Sequence, residues 1–181
     1  MKYLLDKEES ERLYFRKISL NDYHQWLEFF KDPASFIHWK IEPQSPEKEC
    51  NDWYEKQFNR YETNRGGMNA LIEKNSGQLI GHCGLLVQQV DGITELEIGY
   101  SLLSDGRNKG YATEAAMKCK EYAFANHLVP SLISIISLTN KPSMNVAMKN
   151  GMKPEKQTVY NGNAVVIYRI MNSEPQSHKE C

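Results

Sequence analysis

The sequence predicts a mixed α/β (α+β) fold, in the order strand, two helices, three antiparallel strands, helix, strand, helix and closing hairpin. Three observations predict it. Apolar residues recur at every second position in some stretches and every three or four in others, and the two periods alternate along the chain. Runs of period two are joined by tight-turn sequences, Asn75-Ser76-Gly77, Asp91-Gly92 and Asn161-Gly162. Proline or a capping residue opens the helical runs.

Composition bounds the function. The chain has 181 residues, 40% apolar and 25% charged, which fits one globular domain with its own core; residues 1–172 are read as that domain and 173–181 as a polar, disordered tail. A net charge of −1 does not suit a protein that coats nucleic acid. Met1 to Asp6 is too short in apolar residues for a signal segment, and no run approaches a membrane span, so a cytoplasmic protein acting without nucleic acid or membrane is expected. Cys50, Cys83, Cys119 and Cys181 show no paired spacing and no histidine at ligand distance in sequence. They are read as structural thiols, with no metal and no disulfide framework.

In order, Glu11 to Ser19 alternates as a first strand, with Leu13 and Phe15 on one face. Ser19 or Asn21 caps a helix carrying Tyr23, Trp26, Leu27 and Phe30 up to Asp32-Pro33. Phe36 to Trp39 is an aromatic patch that serves as core or as a pocket wall. Ser45-Pro46-Glu47 opens a second helix through Tyr61, ended by Asn64 to Gly67. Met68 to Lys74, Leu79 to Gln89 and Ile93 to Leu103 read as three strands. In the last, Leu96, Ile98, Tyr100 and Leu102 share one face, while Glu95, Glu97 and Gly99 share the other. Ala112, Ala115, Ala116, Cys119 and Ala123 form a narrow stripe of small residues that lets a third helix pack close to a sheet. Leu132 to Leu138 is a buried strand, Asn140 to Met148 a fourth helix stopped at Asn150-Gly151, and Met152 to Tyr160 with Asn163 to Met171 the last hairpin.

Gly106-Arg107-Asn108-Lys109-Gly110-Tyr111-Ala112 ends a strand and opens a helix, and it reads as an anion cradle. Its glycines permit tight turns, Arg107 and Lys109 bring positive charge, and the first helical amides lack intrahelical partners. Only three residues separate the glycines and no Ser or Thr follows a Gly-Lys pair, so a mononucleotide loop is excluded. A dinucleotide fingerprint is excluded as well.

Arg107-x-x-Gly110-x-Ala112, between a strand and a helix, resembles the pyrophosphate loop of the GNAT acetyltransferases, whose pattern is Gln or Arg, two residues, Gly, one residue, Gly or Ala. The element order is similar to that family's from about Glu11 to Met171. Glu97-Ile98-Gly99-Tyr100 ahead of Gly110-Tyr111-Ala112-Thr113-Glu114-Ala115 is similar to the branch containing ribosomal-protein N-acetyltransferases. The resemblance implies a GNAT-type, mostly antiparallel central sheet flanked by helices, and an enzyme that uses acetyl-CoA (coenzyme A) as co-substrate and acts on a small-molecule or peptide amine as monomer or homodimer. It implies that Arg107 and the backbone of Asn108, Lys109, Gly110, Tyr111, Ala112 and Thr113 hold the pyrophosphate, and that main-chain groups at Leu102 and Leu103 pair with the pantetheine arm. Asn140-Lys141-Pro142-Ser143 is similar to the family segment whose asparagine contacts pantetheine, which makes Asn140 and Ser143 cofactor contacts. The tyrosine that often protonates the leaving thiolate falls at Ala147, so Ser143 is the substitute.

A primary amine is mostly protonated at neutral pH, with pKa about 10.4 for lysine and near 8 for a chain terminus, so a base must take its proton. Glu97 is the first candidate and Glu95 the second. His38, Trp39 and Tyr160 are candidate acceptor contacts. His82 and His127 are read as structural or surface residues. A non-catalytic acyl-CoA-binding module of the same fold and a phosphate-binding protein unrelated to acetyl transfer are the competing readings.

Overall fold

The computed structural model describes residues 2–40, 42 and 44–172; the expected disordered tail and Cys181 lie outside them. The elements are β1 (Leu13–Lys17), α1 (Tyr23–Lys31), α2 (Pro46–Glu62), β2 (Gly66–Glu73), β3 (Leu79–Val90), β4 (Ile93–Leu102), α3 (Tyr111–Ala125), β5 (Ser131–Ser137), α4 (Lys141–Lys149), β6 (Lys153–Tyr160) and β7 (Asn163–Met171). Seven strands form one sheet in the order β1-β2-β3-β4-β5-β7-β6. Every neighbouring pair is antiparallel except β4 and β5.

The alternation of the strands divides the core between two faces of the sheet. On one face, Phe15, Leu71, Cys83, Leu85, Leu96 and Ile98 pack against Ala115, Ala116, Cys119 and Ala123, the small-residue stripe of α3. Opposite them, Trp26, Leu27 and Phe30 of α1 and Cys50 and Tyr54 of α2 cover Ala70 and Leu79. Ile133, Ile135, Val165 and Ile167 make a third cluster with Trp39 and Tyr160 against it. Cys50, Cys83 and Cys119 are buried free thiols, as expected of structural cysteines, with the sulfurs of Cys83 and Cys119 3.5 Å apart. Among the described residues no helix is long and apolar enough to cross a membrane.

Two local expectations change. The first helix begins as a short helical turn at Leu20–Asp22, with Ser19 Oγ accepting from the Asn21 amide. Asp22 is drawn instead into a two-point pair with Arg16 at 2.7 and 2.8 Å. Gly66 and Gly67, expected to stop α2, open β2 instead: the helix ends at Glu62 and the chain reverses through Asn64 at φ 51°. Gly66 has φ 73°, and a Cβ there would stand 1.9 Å from the Leu85 carbonyl oxygen, so the close approach of β2 to β3 requires glycine. Gly66→Ala should destabilise the fold by more than about 2 kcal/mol, read from denaturant unfolding, because strain and backbone overlap add.

His82 is fully buried beneath Trp26 and Trp53, with ring centroids at 4.1 and 4.7 Å, and neither ring nitrogen has a hydrogen-bond partner. Burial, with a smaller contribution from Arg16, lowers its pKa from 6.5 to about 3. The folded protein therefore keeps His82 neutral while the unfolded chain binds a proton near pH 6.5. This stability is fully present above pH 6.5 and falls by roughly 1.4 kcal/mol per pH unit as pH drops from there towards 3. Replacing His82 with Phe should flatten the unfolding free energy against pH below 6.5 by a comparable slope.

Candidate active site

The site is built where the sheet changes direction. The ladder between β4 and β5 has a single register pair, Glu97 opposite Ile133, and Ser134 Oγ donates to the Ile98 carbonyl at 2.9 Å. Main-chain groups alternate sides along a strand, so those of Tyr100 and Leu102 point to the same edge as Ile98. Past the end of this ladder lies a cavity of about 400 Å³, lined by Gly99, Tyr100 and Ser101 of β4, Ile135 and Ile136 of β5, and Asn140 and Ser143 at the start of α4. Glu97 lines it too, with Lys56 and Arg60 of α2 on the wall above.

Glu97 is held by neutral donors. Gln88 Nε2 donates to its Oε2 at 2.7 Å and the Ile135 amide donates from β5. Gln88 Oε1 in turn accepts from Arg60 Nη2 at 2.8 Å, so one amide side chain links the carboxylate to a buried guanidinium. Burial raises the Glu97 pKa above the ordinary 4.5, outweighing the lowering effects of Gln88, Ile135, Arg60 and Lys56. A carboxylate so placed takes up a proton more readily than one in water. Glu95, two residues earlier on the same face, has a different setting: Arg169 of β7 binds it at 2.6 and 3.1 Å, and it does not line the cavity.

Two hydroxyl-bearing residues that touch each other, Tyr100 and Ser143, line the cavity. Asn140 Oδ1 accepts from the Ser143 amide at 3.1 Å as the cap of α4, which fixes Ser143 at the first turn of that helix, where its side chain meets Tyr100. The Tyr100 phenol donates to the Ser143 carbonyl at 2.9 Å and its pKa is raised by burial. Ala147, where a tyrosine often stands, is 2% exposed in the core. Trp39 and Tyr160 line the cavity, whereas His38 lies outside it, with Nδ1 2.9 Å from Thr139 Oγ1. Gln88, Arg60, Lys56 and Tyr100 were not singled out from sequence. Their only signal was polar or charged residues on the inward face of α2 and next to a strand turn.

The anion loop lies at the far end of β4, five residues beyond Glu97, a span of roughly 17 Å at the usual strand rise. A short helical turn at Ser104–Gly106 leads through Asn108 at φ 60° to Gly110 at φ 84°, the cap of α3. The amides from Asn108 to Thr113 donate to no protein acceptor among the described residues. Arg12 approaches from the start of β1: its Nη1 donates to the Lys109 carbonyl at 3.0 Å, its Nε to Glu114 at 2.6 Å, and its guanidinium lies 4.4 Å from the Tyr111 ring centre. Glu114 is thus neutralised, while Lys109 and six free amides remain, which fits a diphosphate. Arg107 fastens the loop: Nε donates to the Leu102 carbonyl at 3.1 Å, Nη1 to Asp32 at 2.6 Å and Nη2 to Ser35 at 2.8 Å. The Leu103 amide is taken by the Ile80 carbonyl at 3.0 Å, on the β3 side. Gly110→Val should weaken coenzyme A binding at least about tenfold by calorimetry, since a branched residue disfavours positive φ and fills the loop.

The acetyltransferase (GNAT) domain family matches residues 12–153. YkkB of Bacillus subtilis, described as an uncharacterized protein, is 30% identical over 130 residues, covering 70% of this chain and 73% of its own. The crystal structure of an acetyltransferase from Agrobacterium tumefaciens aligns with TM-score 0.76 at 22% identity, over 91% of this chain and 94% of that one. RimL, described as a ribosomal L7/L12 alpha-N-protein acetyltransferase in complex with coenzyme A, aligns with TM-score 0.73 at 13% identity, over 93% and 99%. At these identities the two structures share its fold.

Proposed function

The chain belongs to the GNAT acetyltransferases, and from this premise we propose that it transfers an acetyl group from acetyl-CoA directly to a primary amine seated beside Glu97. The acceptor is a protein N-terminus or a small-molecule amine. The observation that carries this reading is the Glu97 carboxylate, half-buried, held by Gln88 and the Ile135 amide, and lining the cavity where the β4 and β5 ladder ends.

Bound acetyl-CoA supplies a thioester carbonyl as electrophile. The amides from Asn108 to Thr113, with Lys109 and Arg12, would hold its pyrophosphate. The open edge of β4 at Tyr100 and the Leu102 amide, together with Asn140, would align the pantetheine arm, the Leu102 carbonyl being taken by Arg107. Glu97 takes the proton from the ammonium form of the acceptor, directly or through water, and Gln88 and the Ile135 amide keep its carboxylate in place. The Tyr100 amide lies on the edge from which it can meet the developing oxyanion. The hydroxyls of Ser143 and Tyr100 are the donors available to the departing thiolate. Direct attack is favoured because no cysteine lines the cavity among the described residues; Cys83 and Cys119 are buried on the α3 face.

Coenzyme A thiol release with a panel of amines tests the reading. Glu97→Gln should lower kcat/KM by about 100-fold or more and abolish the acidic limb of its pH profile, in which wild-type activity falls as Glu97 takes up a proton. An unchanged rate and profile would remove Glu97 from the role of base. Gln88→Leu should move that limb to higher pH, because the lost hydrogen bond had been holding the carboxylate pKa down.

A further inference from the structure

The cavity beside Glu97 carries more positive than negative charge. Lys40, Lys56 and Arg60 line it, and among the described residues Glu97 is the one carboxylate that does. None of the three cations forms a salt bridge with a described residue. Arg60 is only 7% exposed; Nη1 donates to the carbonyls of Arg65 and Val87, Nη2 donates to Gln88, and Nε has no partner. Glu97 reaches this guanidinium only through Gln88, and a buried guanidinium held without a direct ion pair is costly. Lys56 lies one helical turn before Arg60 on the same face of α2, where like charges repel. Lys56 is solvent-exposed at the mouth of the cavity, within electrostatic reach of both Arg60 and Glu97.

The substrate end of such a site repels a plain cationic amine, and a polyamine more so. Resting on the amine-acetylation reading, we propose that the acceptor is an amine bearing a carboxylate near its amino group, the amine at Glu97 and the carboxylate at Lys56, with Arg60 behind it and Lys40 at the rim. The acceptor carboxylate then gives the cations a direct ion-pair partner, and the acceptor's two charges match the two signs on the cavity walls. The cavity of about 400 Å³ must also admit the thioester end of the donor, so the acceptor portion is small. A free amino acid carries this chemistry, as does a peptide N-terminus with an acidic first residue.

Calorimetric titration of the coenzyme A-loaded protein distinguishes the two sources. One arm compares free amino acids with their amides; the other compares short peptides starting with Asp or Glu with peptides starting with Asn or Gln. In at least one arm the carboxylate member should bind at least about tenfold more tightly. Lys56→Met should remove that preference and Lys56→Arg should keep it, and in thiol-release assays the Met variant should raise KM for the carboxylate acceptor with little change in kcat. Equal affinities within both pairs, or a preference untouched by Lys56→Met, overturn the inference even if turnover is efficient. A preference that follows Lys56 without thiol release from any amine supports the charge selection and removes the transfer reading.

Discussion

Two parallel strands cannot be joined by a hairpin, and the pairing of β4 with β5 therefore forces the chain out of the sheet between residues 103 and 130. That excursion contains the anion loop and α3. It places the helix amino terminus at the end of β4, while the small stripe of Ala115, Ala116, Cys119 and Ala123 lets the helix lie against the sheet. The same parallel ladder stops after Glu97 and Ile133, leaving an edge of β4 open where the cavity forms. One topological constraint thus sets both the loop ahead of α3 and the cavity beside Glu97.

Charge around β4 is arranged by register. Glu95 and Glu97 occupy the same face, yet Glu95 is held by Arg169 while Glu97 is met only by an amide side chain and a backbone amide. Burial outweighs the donors at Glu97 and raises its pKa, which leaves that carboxylate able to take a proton. Gln88 sits between Glu97 and Arg60, close enough to order both without neutralising either.

Much of the fold was legible because its signals are local. Asn75-Ser76-Gly77, Asp91-Gly92 and Asn161-Gly162 mark real hairpins, and the proline at position 46 and Asn140 mark real helix starts. Gly66 was misread as a helix stop because its reason is non-local: the Leu85 carbonyl leaves no room for a side chain. The turn from β4 into α3 was legible for the same local reason. The partners of Arg107, Asp32 and Ser35, lie more than seventy positions away, and nothing in the loop's own sequence points to them.

By itself the sequence determined the order of elements, the phosphate-compatible loop and the family, because periodicity, turn chemistry and motif spacing act over a few residues. Tertiary structure alone decided which carboxylate lines the cavity and which is ion-paired, and that α2 brings Lys56 and Arg60 over Glu97. Those outcomes depend on strand register and on the packing of α2 across the sheet, where residues far apart in the chain become neighbours.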